Sequence, residues 1–285
     1  MAGDAARFIQ ECWESDGTRF PGPQPVSIER RHFPLLKRQP YFVCEKTDGV
    51  RHLLASTEEG TFLVNRAFKV EAVKIRVPKE TLLDGELVRT KAGKVLFVVH
   101  DAVRVKGVDL KKLPLNVRLE TARKAIKAII KTAQAPFEIR VKDMRLLGSE
   151  KLQPLDSFEY ETDGLVLTPI NEPIRMGTHE TMFKWKPHSR ITIDFELRKG
   201  CELWVQDRGV PYKEAELHIH NRRPDLPDGA IVECGYGECG FFVEKVRTDK
   251  THANNRRTYF RTMINLRENI QEGELVKLFL GRYHT

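Results

Sequence analysis

Residues 45–51 read Glu-Lys-Thr-Asp-Gly-Val-Arg, directly after the apolar run Tyr-Phe-Val-Cys at 41–44. Aromatic and β-branched residues in a short run predict a β-strand, and the Asp-Gly pair at 48–49 is a strong turn signal. The sequence therefore places Lys46 at the end of a strand, just before a turn. A lysine there is a candidate nucleophile, because neighbouring positive charges favour its neutral amine. A solvated lysine in a plain hairpin is the simpler alternative.

Short apolar runs of the same kind lie on the C-terminal side of this stretch and predict a sheet-rich core with few helices. One long helix is predicted over 114–133, where apolar residues recur at helical spacing after Pro114. A shorter amphipathic helix is predicted over 6–15. The predicted strands include VRHLLAS (50–56), TFLVNR (61–66), LLDGELV (82–88), VLFVVHDAV (95–103), DGLVLTP (163–169) and MFKWKP (182–187).

The pattern changes after Pro187. Residues 191–200 alternate apolar and polar side chains, as in a half-buried strand, and four more short strands follow. Five strands in roughly 60 residues are typical of a small closed β-barrel such as the OB-fold. Helical spacing returns over 254–279, with Thr251 as a possible cap. We predict an α+β chain with antiparallel sheets and flanking helices over 1–190, an OB-fold β-barrel over 191–266 and a helical tail over 267–285 that packs back on the first domain.

Length and composition limit the class of protein. The 285 residues suggest one large or two ordinary domains, and a chain with 40% hydrophobic and 31% charged residues is neither disordered, collagen-like nor a coiled coil. The net charge of +8 permits a polyanionic partner without requiring one. All of the excess lies in residues 1–190, with 33 basic and 25 acidic side chains.

Signals for secretion or membrane insertion are missing from the sequence. The N-terminus lacks the apolar run of a signal peptide, and no stretch of 18 apolar residues is present. Five scattered cysteines do not form a disulfide framework. We expect an intracellular protein, at work in the nucleus or at a viral or cytoplasmic transcription site.

Four further groups of charged residues follow Lys46 in chain order. Taken singly, each is more often a solvated charge or a hairpin turn than a ligand. Lys184 and Lys186 are two residues apart, so on a strand both point to one face. The groups are Glu86 in LLDGELV, Asp163 in DGLVLTP, the pair Lys184 and Lys186 in MFKWKP, and Arg247, Asp249 and Lys250 in RTDK.

This ordered series resembles the motifs of the covalent nucleotidyltransferase superfamily, which comprises ATP-dependent DNA ligases, RNA ligases and mRNA capping guanylyltransferases. The chain is most similar to the capping branch, above all to the compact stand-alone enzymes of large DNA viruses of green algae. RTDK at 247–250 is the strongest discriminator from the ligases, and the resemblance runs from about Phe20 to Phe279. The matching segments are PGPQPVSIER, EKTDGVR, FLVNRAF, LLDGELV, VVHDAV, ETDGLVLTP, MFKWKP and VRTDKTHANN.

The resemblance implies a two-step transfer of GMP. Lys46 attacks the α-phosphate of GTP and expels pyrophosphate, and a 5′-diphosphate RNA end then takes the GMP to form the cap. A divalent cation, Mg²⁺ or Mn²⁺, is implied, as are a separate RNA triphosphatase and cap methyltransferase and a monomeric state. The domain over 1–190 becomes the nucleotidyltransferase domain.

The resemblance also implies a role in nucleotide binding or catalysis for each residue that matches a family motif. Lys184 and Lys186 match the α-phosphate lysines that assist the nucleophile Lys46. Glu86 and Asp163 match acids directed at the ribose, the phosphates or the metal. The other implied nucleotide contacts are Arg51 and Arg66 near the ribose and α-phosphate, Thr47 and Lys142 at the guanine edge, and Arg247, Asp249 and Lys250 at the β- and γ-phosphates.

His100 departs from the family pattern, which usually has Phe or Tyr stacked on guanine at this point. An imidazole also stacks, but its smaller ring offers less contact than a phenyl ring. A histidine satisfied locally within its strand is the alternative.

Three other interpretations stay open. The first is an ATP-dependent DNA or RNA ligase, and the second is a non-catalytic RNA-binding protein on the same scaffold. The third is a zinc site built from His218, His220, Cys234 and Cys239, for which no further ligand lies nearby in the sequence. Independently, Arg123, Lys124, Lys127 and Lys131 share one side of the predicted helix, which is either a solvated face or a guide for RNA.

Overall fold

The computed structural model describes residues 2–17, 19–127, 129, 135–148 and 152–278. It divides into two compact units. The first unit comprises Met1–Val26, Pro34–Trp185 and Val276–Thr285, and the second comprises Ser27–Phe33 and Lys186–Leu275, within the described ranges.

The fold is mixed α/β, with mainly antiparallel sheets and few helices. The helices are α1 (Ala2–Trp13), α2 (Phe33–Leu36), α3 (Leu115–Lys127), α4 (Arg256–Glu268) and α5 (Glu272–Lys277), with 3₁₀ turns at Arg30–His32, Leu155–Ser157, His188–Arg190 and Ile219–Asn221. The strands of the first unit are β1 (Gln24–Ser27), β2 (Tyr41–Thr47), β3 (Val50–Thr57), β4 (Gly60–Asn65), β5 (Val70–Val73), β6 (Thr81–Arg89), β7 (Val95–Val105), β8 (Val108–Asp109), β9 (Glu138–Val141), β10 (Arg145–Leu146), β11 (Thr162–Pro169) and β12 (Thr178–Trp185). Those of the second are β13 (Ile193–Arg198), β14 (Glu202–Asp207), β15 (Val210–Glu216), β16 (Ala230–Gly237) and β17 (Gly240–Val246).

Two sheets make up the first unit. One has five strands in the order β1-β12-β11-β2-β10, and the other has seven, in the order β5-β4-β3-β6-β7-β8 with β9 parallel to β7. Helix α1 packs its Phe8 and Ile9 in one cluster with Leu53, whereas α3 packs Ala122 in another cluster with Leu54. Consecutive residues of β3 thus point to opposite buried faces. This double burial explains why Leu53, Leu54 and Ala55 follow one another with no polar residue between them.

The Asp48-Gly49 turn does not form a hairpin. Strand β2, before the turn, pairs with β10 and β11 in the five-stranded sheet, and β3, after it, pairs with β4 and β6 in the seven-stranded sheet. A β-carbon on Gly49 would lie 2.7 Å from the carbonyl oxygen of Leu87, so the crossing needs glycine. The chain therefore passes from one sheet to the other directly after Lys46.

The second unit is built on a five-stranded antiparallel sheet in the order β15-β14-β13-β16-β17. No pairing of β15 with β17 closes it in the described part of the chain, so the predicted barrel closure is not confirmed. Helix α4 buries Tyr259 with the sheet residues Phe195 and Phe241. The extended segment before α2 belongs to the same unit, since Asn265 donates a hydrogen bond to the carbonyl of Ile28 (2.7 Å).

Helix ends differ in detail from the sequence prediction. The long helix begins at Leu115 as expected and is seen to Lys127, with most of its predicted remainder outside the described residues. The predicted Thr251 cap is wrong: α4 begins at Arg256, and Asn255 caps it by accepting a hydrogen bond from the backbone N–H of Arg257. Asparagine is at least as good an N-cap as threonine, so composition alone could not choose between them.

Candidate active site

A cavity of about 660 Å³ in the first unit is lined by both of its sheets. Strands β2, β11 and β12 contribute from the five-stranded sheet, and β3, β6 and β7 from the seven-stranded sheet. Among the residues that line it are eight singled out from the sequence: Lys46, Thr47, Arg51, Arg66, Glu86, His100, Lys142 and Lys184. The structure therefore gathers in one place positions that span almost 140 residues of chain.

Lys46 is paired with Asp163. Its Nζ lies 2.8 Å from Oδ1 of Asp163, and the two side chains are 25% and 22% exposed. Gly164 is the register partner of Lys46 between β2 and β11. Two residues along, Val166 lies between Cys44 of β2 and Lys184 of β12. Residues directly opposite in antiparallel strands share a face, as do residues two apart, so Lys184 and Lys46 lie on one face of the sheet. Lys186 follows β12 and is the first residue of the second unit's main segment.

Arg51 is locked by a buried carboxylate that the sequence analysis did not select. Asp84 is 1% exposed and accepts two hydrogen bonds from Arg51, at 2.9 and 2.6 Å. Arg51 also donates to the carbonyl of Pro23 (2.5 Å), and Nε2 of His100 lies 3.2 Å from Asp84. Asp84 is two residues before Glu86 in a strand, and that spacing is the signal that could have found it.

The charges of this group stabilise one another. Burial alone would raise the pKa of Asp84, but the guanidinium of Arg51 and the imidazole of His100 outweigh it and hold that pKa below its ordinary range. Burial alone would lower the pKa of Arg51, yet Asp84 keeps it above the ordinary value. Arg66 donates a hydrogen bond to Gln24 (3.0 Å). Loss of part of its hydration and the nearby charge of Arg51 lower the pKa of Arg66. His100 is thus held by its ring edge at the wall of the cavity.

A second buried network involves Glu45 and Thr47, the residues before and after Lys46 in the chain. Lys142 is 5% exposed and donates to the carbonyl of Glu45 (2.8 Å) and to the hydroxyl of Thr47 (3.1 Å). The Glu45 carboxylate lies 3.6 Å from Nζ of Lys142 and accepts a hydrogen bond from Tyr160 (2.8 Å). Thr47 in turn donates to Glu86 across the two sheets. Burial would lower the pKa of Lys142, but the carboxylates of Glu45 and Glu86 outweigh it and hold that pKa above its ordinary value, so the ammonium stays charged.

We expect Tyr160→Phe to destabilise the protein by about 1.5–3 kcal/mol, because the change removes a hydrogen bond to a buried carboxylate. Urea unfolding should show a lower midpoint with an unchanged slope. Tyr212→Phe is the matched control, since Tyr212 contacts Arg256 through its ring face (4.3 Å), which the change preserves. A midpoint shift no larger for Tyr160 than for Tyr212 would contradict this account.

In the second unit the RTDK residues form their own cluster around Asp194. Arg247 donates to Asp194 (2.9 Å), and Lys250 donates to its other oxygen. Arg247 also makes two hydrogen bonds to Asp249 (2.9 and 2.8 Å), which raise the pKa of Arg247 and lower that of Asp249. Glu233 lies 3.4 Å from Arg247. Asp194 was missed from the sequence because it takes a polar position in an alternating strand, although it is buried.

Two further predictions concern charged or metal-binding groups. Glu120 lies 3.9 Å from both Arg123 and Lys124, so the basic face of α3 is partly neutralised, and Lys131 falls outside the described residues. Within the described ranges, no three His, Cys, Asp or Glu side chains gather as a metal site.

No helix in the part of the chain described is long and apolar enough to cross a membrane.

Comparison with known proteins identifies the family. Residues 3–188 match the family model for the catalytic domain of mRNA capping enzymes. The chain belongs to the mRNA capping enzyme family. The resemblance predicted from the motif series is confirmed at this level.

Relatives in the capping enzyme family come from fungi and animals. The chain is 35% identical over 214 residues to the mRNA-capping enzyme subunit alpha of Schizosaccharomyces pombe, covering 63% of this chain and 53% of that protein. It is 33% identical over 244 residues to the subunit alpha of Yarrowia lipolytica, covering 74% and 61%. The chain thus spans between half and two thirds of the length of these two capping enzymes. A solved structure of mycobacterial DNA ligase D complexed with ATP and MES aligns with a TM-score of 0.46 and 15% identity, over 79% of this chain and 96% of that one.

Proposed function

We propose that this protein is a GTP–RNA guanylyltransferase that uses Lys46 as its nucleophile. The observation that supports it is the placement of Lys46 beside Asp163 in a cavity lined by both sheets of a capping-family domain. In the first step the Lys46 amine, having lost a proton, attacks the α-phosphorus of GTP. An N–P bond forms and pyrophosphate leaves. In the second step an oxygen of a 5′-diphosphate RNA end attacks that phosphorus, the N–P bond breaks, and the cap GpppN is released.

The residues around Lys46 are suited to bind and orient the nucleotide. Lys184, on the same sheet face, places positive charge where the α-phosphate would gain negative charge, and such fixed charges are a large part of phosphoryl-transfer catalysis. Glu86 and Arg66 are assigned to the ribose and phosphates, and Lys142 with Thr47 to the guanine edge. His100 is assigned to stacking on guanine.

Four of the assigned residues belong to the second unit. We assign Lys186 to the α-phosphate and Arg247 and Lys250 to the β- and γ-phosphates, with Asp249 between them. Asp194 forms ion pairs with both Arg247 and Lys250. A triphosphate would therefore have to compete with this carboxylate for the two cations.

Two carboxylates would be available to a divalent cation: Asp163, beside Lys46, and Glu86, which lines the cavity. Mg²⁺ is commonly held by one or two carboxylates together with substrate phosphates and water. Asp163 offers a partly exposed hard-oxygen ligand, whereas the Glu86 carboxylate is already engaged by Thr47. A Mg²⁺ or Mn²⁺ ion held by Asp163 would supply positive charge to the triphosphate.

We further assign residues 1–190 to a nucleotidyltransferase domain, 191–266 to an OB-fold domain and 267–285 to a helical tail. Five consecutive antiparallel strands in the second unit support the OB-fold assignment. The proposed reaction needs a diphosphate RNA end before it and cap methylation after it. A separate RNA triphosphatase and a cap methyltransferase are therefore expected partners, with the protein monomeric and intracellular.

The test is covalent labelling by nucleotide. The protein is incubated with GTP or ATP, each labelled at the α-phosphate, then denatured and examined for retained label. We expect label from GTP only, and its transfer to 5′-diphosphate RNA on addition of the RNA. Label from ATP but not GTP would instead support the polynucleotide ligase. No label from either would support a non-catalytic RNA-binding protein.

A further inference from the structure

Helix α4 concentrates positive charge in a part of the chain that is otherwise balanced. From residue 191 onward the sequence has 15 basic and 15 acidic side chains, yet α4, RRTYFRTMINLRE, holds four arginines and a single glutamate. The first turn of α4 contains no acidic residue and two arginines, Arg256 and Arg257. Cations at a helix N-terminus oppose the helix dipole, so these arginines are placed at a cost to helix stability.

One side of α4 is buried and the other is open. Tyr259 and Met263 pack into the core of the second unit, and Leu266 is buried. The opposite side carries a line of exposed residues at spacings of three and four, which we call the α4 stripe. Its members are Arg257, Phe260, Arg261, Ile264 and Arg267. Phe260 and Ile264 are 49% and 37% exposed.

The charges of the α4 stripe are not neutralised by neighbouring acids. None of its three guanidinium groups forms an ion pair with a described residue. Glu268, the one acid on this side, uses its carboxylate to accept a hydrogen bond from the backbone N–H of Arg30 (2.7 Å). The surface therefore presents three open guanidinium groups interleaved with one aromatic and one aliphatic side chain.

Phe260 is fixed in place by its neighbours. The guanidinium of Arg256 lies 5.3 Å from its ring centroid and is itself held by Glu214 (2.5 Å), and the ring of Tyr259 meets it edge-on at 5.2 Å. A half-exposed aromatic ring held in this way is suited to stacking, because little side-chain freedom is lost on contact.

We propose that the α4 stripe binds single-stranded RNA, with the arginines on successive phosphates and a base stacked on Phe260. Arginines spaced along a surface match a phosphate backbone, and an exposed aromatic ring among them matches unpaired bases. An acidic peptide would satisfy the arginines but would not use the Phe260 ring. This inference rests on the proposed function, since the RNA it concerns is the acceptor of GMP.

The test measures binding of a labelled 5′-diphosphate oligoribonucleotide to the full chain by fluorescence anisotropy, between 50 and 200 mM salt and without GTP. Each of Arg257→Ala, Arg261→Ala and Arg267→Ala should reduce the salt slope by about 0.7, equivalent to roughly fivefold weaker binding at 0.1 M salt. Phe260→Leu should weaken binding at least about fivefold with the slope unchanged, because it removes stacking and no charge. A double-stranded RNA should not respond to Phe260→Leu.

Arg222→Ala is the matched control, an exposed arginine of the second unit outside α4. Unchanged RNA affinity in the four stripe variants would overturn the proposal. So would an equal loss with Arg222→Ala, or a loss seen instead with Lys124→Ala on α3. If a poly-glutamate peptide displaces the RNA from the wild type and Phe260→Leu leaves RNA affinity unchanged, the α4 stripe is instead a site for an acidic peptide. GMP labelling of the same variants should be unchanged, and failure of the wild type to label would count against the proposed function alone.

Discussion

Lys46→Ala is expected to abolish covalent labelling by GTP, lowering it by at least about 10³-fold, the scale on which the loss of a catalytic nucleophile acts. The structural reason is position: Lys46 lines the cavity and its Nζ lies 2.8 Å from Asp163, whereas the buried Lys142 is held by Glu45 and Thr47. The measurement is label retained on the denatured protein after incubation with GTP labelled at the α-phosphate.

Lys46→Arg separates chemistry from structure in this experiment. Arginine keeps the positive charge and the ion pair with Asp163, but its guanidinium stays protonated and is not a nucleophile. We expect Lys46→Arg to fold as the wild type and to carry no label. Lys69→Ala, a change at an exposed lysine between β4 and β5, should label normally. Full labelling of Lys46→Arg would show that another residue forms the bond.

The second large effect is expected at Asp84. Asp84→Asn should lower the free energy of unfolding by about 3–5 kcal/mol, since it leaves the buried guanidinium of Arg51 without its counter-charge. Glu71→Gln, at an exposed carboxylate of β5, should change it by less than about 0.5 kcal/mol. Replacing Arg51 and Asp84 together by leucine should restore much of the loss, because no charge is then left unpaired.

The Asp84 pair also predicts an acid dependence. The pKa of Asp84 in the folded protein lies below its unfolded value, so its contribution to stability is complete above about pH 4 and is lost as the pH falls further. Urea unfolding of the wild type from pH 7 to 2.5 should show stability decreasing below pH 4. The difference in stability between wild type and Asp84→Asn should shrink over that interval. A difference that stays constant down to pH 2.5 would contradict the pairing.

Much of the candidate site was predictable from local sequence. The position of Lys46 at a strand end follows from strand propensity and the Asp-Gly turn, and the order of charged motifs indicated the family. Glu86, Asp163 and Lys184 were found because each adjoins or lies within an apolar strand. Asp84, Glu45 and Asp194 were not selected, because a single acid in a strand gives no sign of whether it is solvated or paired inside.

The sequence by itself determined the strands, the long helix, the candidate nucleophile and the family, because these depend on neighbouring residues and on the order of motifs. Only the tertiary structure decided that the turn at 48–49 joins two sheets rather than two strands of a hairpin. It also decided that Lys46 meets Asp163, 117 residues away, and that Arg51 is held by a buried Asp84. The reason is physical: the cost of burying a charge depends on its partner, and that partner is brought close by packing of the sheets rather than by proximity in the chain.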